Sequence, residues 1–144
     1  MEDKYYERLM ELIKIPLANN DIPVSALIVD KNGNIIAEGY NDRVKNNTIS
    51  GHAEINAINQ ALKDNTKLND CVIYTTLEPC GMCYSAIRQA KIKSVDYILN
   101  NDKNDVTRSF ALHDNYLSLN KNTTKEQEEE YQTILSEFFN QNIR

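Results

Sequence analysis

A chain of 144 residues, 41% hydrophobic and 26% charged, has the length and composition of one globular domain over residues 1–144, with a core that needs no disulfides. Its formal charge of −5 excludes a protein that coats nucleic acid non-specifically, because such binding rests on Lys and Arg neutralising phosphates. The charged N-terminal segment is no signal peptide, and no apolar run approaches the roughly 18 residues of a membrane span. Three cysteines, two of them within one Cys-x-x-Cys, read as a reduced, cytosolic protein whose thiols serve metal or chemistry.

From Tyr5 to Ala18 the apolar positions Tyr5, Leu9, Leu12, Ile13 and Leu17 recur at helical spacing, interrupted late by Pro16. Pro23 then opens the run Val24 to Val29, which the turn formers Asp30-Lys31-Asn32-Gly33-Asn34 separate from Ile35 to Tyr40, and this pattern predicts a β-hairpin. Residues 41–51 show no periodicity. A helix follows from His52, with Ile55, Ala57, Ile58, Ala61 and Leu62 on its apolar face. Cys71 to Thr75 reads as a strand buried on both faces. A further helix starts just after Pro79, since proline is tolerated in a first helical turn, and Val95 to Leu99 is a fourth strand. This alternation predicts an α/β domain with helices on both faces of a mixed sheet. Residues 101–124 are polar and turn-rich, anchored by Phe110, Leu112, Tyr116, Leu117 and Leu119, with room for a short strand or a helical turn. A terminal helix from Lys125 to Asn140 sets Tyr131, Ile134, Leu135, Phe138 and Phe139 on one stripe, opposite glutamates that cluster near its N-terminal end.

The chemistry concentrates in His52-Ala53-Glu54 and Pro79-Cys80-Gly81-Met82-Cys83. Cys80 and Cys83 sit at the first turn of a helix, where unsatisfied N–H groups and the helix dipole favour thiolates, the form that binds zinc. His52 supplies a third ligand, and no second His or Cys pair completes a four-ligand structural site, so one position stays open for water. Glu54, two residues on, shares the site only if both residues lie at the start of their helix, and it then stands beside the open position. Zinc lowers the pKa of a bound water from near 16 to roughly 7, and a carboxylate in the place of Glu54 moves the protons. Attack on an amino-bearing aromatic carbon followed by loss of ammonia is hydrolytic deamination. His-x-Glu followed by Pro-Cys-x-x-Cys is the signature of zinc deaminases, set here against a structural zinc clip or a redox Cys-x-x-Cys.

Across Asp21 to Lys103, in Ile22-Pro23-Val24, Glu38-Gly39-Tyr40-Asn41, His52-Ala53-Glu54-Ile55 and Thr76-Leu77-Glu78-Pro79-Cys80-Gly81-Met82-Cys83, the chain resembles the bacterial tRNA-specific adenosine deaminases of the cytidine/deoxycytidylate deaminase superfamily. The resemblance implies a three-layer α/β/α cytidine-deaminase-like fold with a mixed five-stranded sheet. It implies zinc as cofactor, a homodimer as the assembly, and conversion of the wobble adenosine of a tRNA anticodon loop to inosine. By matching position, Asn41 would hydrogen-bond the target nucleotide, Ile22 would line the base pocket and the Ala53 and Glu54 region would read the ring edge. Asn101 falls where the family carries an aspartate and would meet a ribose hydroxyl. The chain departs from the family's usual pattern at Ser25, in Asn47-Thr48-Ile49-Ser50-Gly51 and at Asn101. Arg88, Lys91, Lys93, Lys103 and Arg108 form a basic stretch for phosphates, set against an ordinary solvated helix end, and His113 matches a late family histidine. Two other readings stand beside wobble deamination: an enzyme acting on a free purine or pyrimidine base, nucleoside or nucleotide such as guanine or cytosine, and a non-catalytic deaminase-fold subunit, against which the retained Glu54 speaks.

Overall fold

The structure is a computed structural model of the chain and describes residues 1–65, 67–102 and 116–142. The anchors Phe110 and Leu112, the basic residues Lys103 and Arg108, and His113 lie outside the described residues.

The first helical run divides in two, α1 over Asp3–Leu12 and α2 over Lys14–Ala18. Pro16 has no N–H to give the carbonyl of Leu12, so the ladder of α1 stops there, and the same proline is harmless in the first turn of α2. A left-handed Asn20 (φ 57°) then turns the chain towards the sheet. Strands β1 (Ser25–Val29) and β2 (Ile35–Tyr40) form the expected antiparallel hairpin. Its turn is held by the Asp30 carboxylate, which accepts the N–H groups of Asn32 at 3.0 Å and Asn34 at 2.9 Å, with Gly33 at φ 86°. The short helix α3 spans Arg43–Asn46 and α4 spans Ala53–Asp64. Strand β3 (Val72–Leu77), helix α5 (Gly81–Gln89) and strand β4 (Ser94–Leu99) make a β-α-β unit. The short strand allowed for in the polar region is β5, Ser118–Lys121, and the terminal helix α6 spans Lys125–Gln141.

The five strands order as β2-β1-β3-β4-β5, with β1 antiparallel to β2 and β3, and β3, β4 and β5 parallel. Every residue of β1 is buried, and alternate side chains feed different cores. Ala26 and Ile28 join Ala53, Ala57, Ile58, Ala61, Tyr84 and Ile87 beneath α4 and α5. Leu27 and Val29 join Tyr5, Leu9, Leu12 and Tyr131 on the face covered by α1 and α6. Helices therefore cover both faces of the mixed sheet. The neighbouring β3 is less enclosed than its composition suggests, since Val72 and Tyr74 are only half-buried, Tyr74 stacking on Tyr5 at 4.6 Å.

Helix α6 begins at a reciprocal cap in which the Gln127 N–H donates to Thr124 Oγ1 and the Thr124 N–H donates to Gln127 Oε1, both at 3.1 Å. Tyr131 and Phe138 carry its buried stripe, whereas Phe139 is 47% exposed and falls off its edge. The Tyr131 hydroxyl, fully enclosed, donates to the carbonyl of Pro23 at 2.9 Å.

Gly39 sets how closely α4 lies on β2. A Cβ at this position would stand 2.2 Å from the Ala53 carbonyl oxygen and 2.5 Å from the Ala57 nitrogen, both backbone atoms that cannot rotate aside. Gly39→Ala therefore displaces the start of α4 and is expected to lower stability by about 1–3 kcal/mol. Chemical denaturation measures this, and an unchanged midpoint would show that α4 is free to shift.

Candidate metal centre and substrate cavity

The histidine and the two cysteines meet because two helices begin at the same place. His52 is the N-cap of α4, still extended (φ −99°, ψ 147°), and Glu54 is the second residue of the helix proper. That change of backbone conformation lets two residues only two apart face one space, which a continuous helix forbids. Cys80 is the N-cap of α5 and Cys83 lies in its first turn, just past the C-terminal end of β3. His52 Nδ1 stands 3.6 Å from Cys80 Sγ and 3.5 Å from Cys83 Sγ, and one ligand atom of each residue lies within 4.8 Å of the other two. Tetrahedral zinc, with bonds of about 2.3 Å to sulfur and 2.0–2.1 Å to nitrogen, sets such atoms about 3.6 Å apart. The donor set fits the metal in chemistry and in spacing.

The electrostatics divide the two thiols. Hydrogen bonding from Cys83, assisted by His52, brings Cys80 down to about 4 and makes it the thiolate of the pair. The same hydrogen bond to Cys80, together with burial, pushes Cys83 up. His52 is raised chiefly by its hydrogen bond to the Cys80 sulfur. Glu54 is fully enclosed, and burial pushes its carboxyl up to about 7, so it exchanges a proton near neutrality.

These groups open onto a cavity of about 530 Å³ whose lining includes Ile22, Asn41, His52, Glu54, Cys80 and Asn101. Cys83 is buried behind it and Ala53 does not line it. The Ala53 N–H instead donates at 2.9 Å to Asn41 Oδ1, so Asn41, from the end of β2, caps the α4 turn that the His52 side chain leaves uncapped. Because an N–H identifies that atom as the oxygen, the amide NH2 is the part of Asn41 left for a ligand. Asn101 lies beyond β4, its N–H donating to the Glu78 carboxylate at 2.9 Å.

Three further charged residues line the cavity, Asp21, Arg43 and Glu78, and none belongs to a spacing that singles it out. The only hint in the sequence is position: Glu78 precedes Pro79-Cys80, Asp21 precedes Ile22, and Arg43 follows Asn41 by two. Of the basic stretch expected from the sequence, Arg88 and Lys93 do not line this cavity. Arg88 and Lys93 pack over the Tyr116 ring at 5.5 and 5.7 Å, at the end of α5 opposite the cysteines.

Residues 1–99 match the family model of the cytidine and deoxycytidylate deaminase zinc-binding region. The chain belongs to this zinc-binding deaminase family. A tRNA-specific adenosine deaminase of Rickettsia typhi is 35% identical over 134 residues, covering 91% of this chain and 87% of the relative. A guanine deaminase of Bacillus subtilis is 47% identical over 77 residues, which is 52% of this chain and 49% of the relative. A solved structure from work on A-to-I editing by tRNA:A34 deaminases superposes with a TM-score of 0.72 at 24% identity, over 86% of this chain and 100% of the other, and shares the fold. Among the described residues no helix is long and apolar enough to cross a membrane.

Replacing either sulfur tests the ligand set. Cys80→Ala and Cys83→Ala are each expected to lose zinc on purification, read by elemental analysis beside the wild type. Full occupancy in either variant would refute the assignment.

Proposed function

We propose that the chain is a zinc-dependent aminohydrolase that converts the wobble adenosine of a tRNA anticodon loop to inosine. The observation that carries this reading is Glu54, a buried carboxylate on the same cavity as His52 and Cys80, in a chain 35% identical to a tRNA-specific adenosine deaminase across 91% of its length. Zinc held by His52, Cys80 and Cys83 supplies a Lewis acid that makes water nucleophilic at neutral pH. Glu54 takes one proton from water and hands it to the ring nitrogen, then carries the second, from the hydroxyl left on the ring carbon, to the departing amine, so that water and the amino-substituted ring become a ring carbonyl, a ring N–H and ammonia. The Asn41 amide orients the nucleotide, Ile22 packs against the base, Glu54 at the start of α4 faces the ring edge, and Asn101 meets a ribose hydroxyl.

The cavity wall favours a neutral heterocycle at its base. Asp21, Glu54 and Glu78 outnumber Arg43, the one cation among the described lining residues, and a free nucleotide would bring its phosphate into that field. A free base meets no such repulsion. The similarity to guanine deaminase favours a second reading, deamination of a free purine, although that similarity spans 52% of the chain. The reduced thiols suit a cytoplasmic enzyme, and the family resemblance points to a homodimer.

Zinc-loaded protein incubated with an anticodon stem-loop carrying adenosine 34, and separately with adenosine, guanine, cytosine and cytidine, is expected to release ammonia from the stem-loop alone, with inosine at the wobble position. Turnover of guanine with an untouched stem-loop moves the chain to the free-base reading. Glu54→Ala is expected to retain zinc while deamination falls by about 10²–10⁴-fold. Normal turnover in that variant, metal intact, would remove Glu54 from the mechanism.

A further inference from the structure

Asp21 is 2% exposed, and its carboxylate is spent on one purpose. Oδ1 accepts the Val44 N–H at 2.7 Å and Oδ2 accepts the Lys45 N–H at 3.3 Å, two amides of α3 more than twenty positions along the chain. The loop 42–51 that contains α3 is closed at its base, where the Asp42 N–H donates to the Gly51 carbonyl at 3.0 Å and Asn56 of α4 donates to Asp42 Oδ1 at 3.0 Å. That base is tied to α4 and so to His52. The outer half is tied differently: among the described residues, the hydrogen bonds from the α3 backbone to a distant part of the chain are the two that end on Asp21.

The outer half carries side chains that packing does not explain. Val44 is 50% exposed and Ile49 73% exposed, yet both line the cavity together with Arg43. Ile22, next to Asp21 itself, lines the same cavity. A loop closed by its own base hydrogen bonds keeps its shape without Asp21 but not its distance from Ile22.

We propose that Asp21 is a positioning residue for the substrate, fixing the exposed Val44 and Ile49 relative to Ile22 and so setting the shape of the cavity wall. This rests on the reading of the cavity as the substrate site. A carboxylate suits the task because it offers an acceptor to each of two parallel N–H donors and has no proton to conflict with either. Asparagine at this position still accepts from Val44 but turns an NH2 group on the Lys45 N–H. Val44 and Ile49 are not among the residues that meet at the metal centre, so loosening them is expected to act on substrate capture more than on the proton transfers.

The test compares Asp21→Ala and Asp21→Asn with wild type for zinc content, amide hydrogen exchange and steady-state kinetics on whichever substrate the wild type deaminates. In Asp21→Ala, protection at Val44 and Lys45 is expected to fall while α4 keeps its own. KM is expected to rise on the order of ten- to a hundredfold, by more than kcat falls, with zinc retained. Asp21→Asn is expected to lie between, and it decides the matter alone if the alanine variant does not fold. Retained protection at Val44 and Lys45 overturns the proposal, as does lost protection with an unchanged KM, or a fall in kcat that tracks lost zinc. Absence of turnover by zinc-loaded wild type instead sinks the functional reading, and exchange at Val44 and Lys45 then reports only whether Asp21 holds the loop.

Discussion

The site depends on the meeting of two helix N-termini at one end of the sheet. Helix α4 brings His52 and Glu54, α5 brings Cys80 and Cys83, and the beginnings of both helices present unsatisfied N–H groups and the positive end of a dipole to the same small volume. That field adds to the hydrogen bonds from Cys83 and His52 that favour the deprotonated sulfur of Cys80. The cysteines occupy the C-terminal edge of β3, the usual place for a ligand in a sheet with parallel strands. The contact of Gly39 with the Ala53 carbonyl then fixes the height of α4 above that edge.

Around the metal centre, two charged residues of the wall and Asn41 accept hydrogen bonds from backbone amides. Asp21 accepts the amides of Val44 and Lys45, Glu78 accepts the amide of Asn101, and Asn41 accepts the amide of Ala53. Each such bond ties a loop to a strand end, so the groups that shape the cavity also set where its loops run. Glu54 lies in the same wall with its carboxyl pushed up by burial, which suits a group that holds a proton in one step and releases it in another.

The C-terminal helix is joined to this arrangement although the family match ends at residue 99. Tyr131 passes beneath the sheet to the carbonyl of Pro23, one residue from Ile22 and two from Asp21. The capping pair of Thr124 and Gln127 starts that helix, and Gln127 also binds the backbone of Met1 at 2.8 Å, so both ends of the described chain brace the face opposite the metal centre. The wall formed by residues 21–24 is thus held by α3 on one side and by α6 on the other.

Local features of the sequence determined the elements and the reactive set. Periodicity predicted the longer helices and strands but not α3, the Asn/Gly turn predicted the hairpin, and His-x-Glu with Pro-Cys-x-x-Cys picked out residues that meet at the candidate metal centre, because these depend on neighbours a few residues apart. Pro16 was legible as an interruption, while the restart of the helix behind it depended on which carbonyl lost its donor. The roles of Asp21, Arg43 and Glu78 were not legible, since each depends on a backbone amide or an opening supplied by a loop elsewhere in the chain, and no local pattern encodes that distance. Asn41 was expected to meet a nucleotide, and only the tertiary structure showed its oxygen capping α4, because the capped amide belongs to a helix twelve residues on. The chemistry was therefore written in short motifs, while the shape of the space in which it acts was decided by hydrogen bonds between segments that the fold alone brings together.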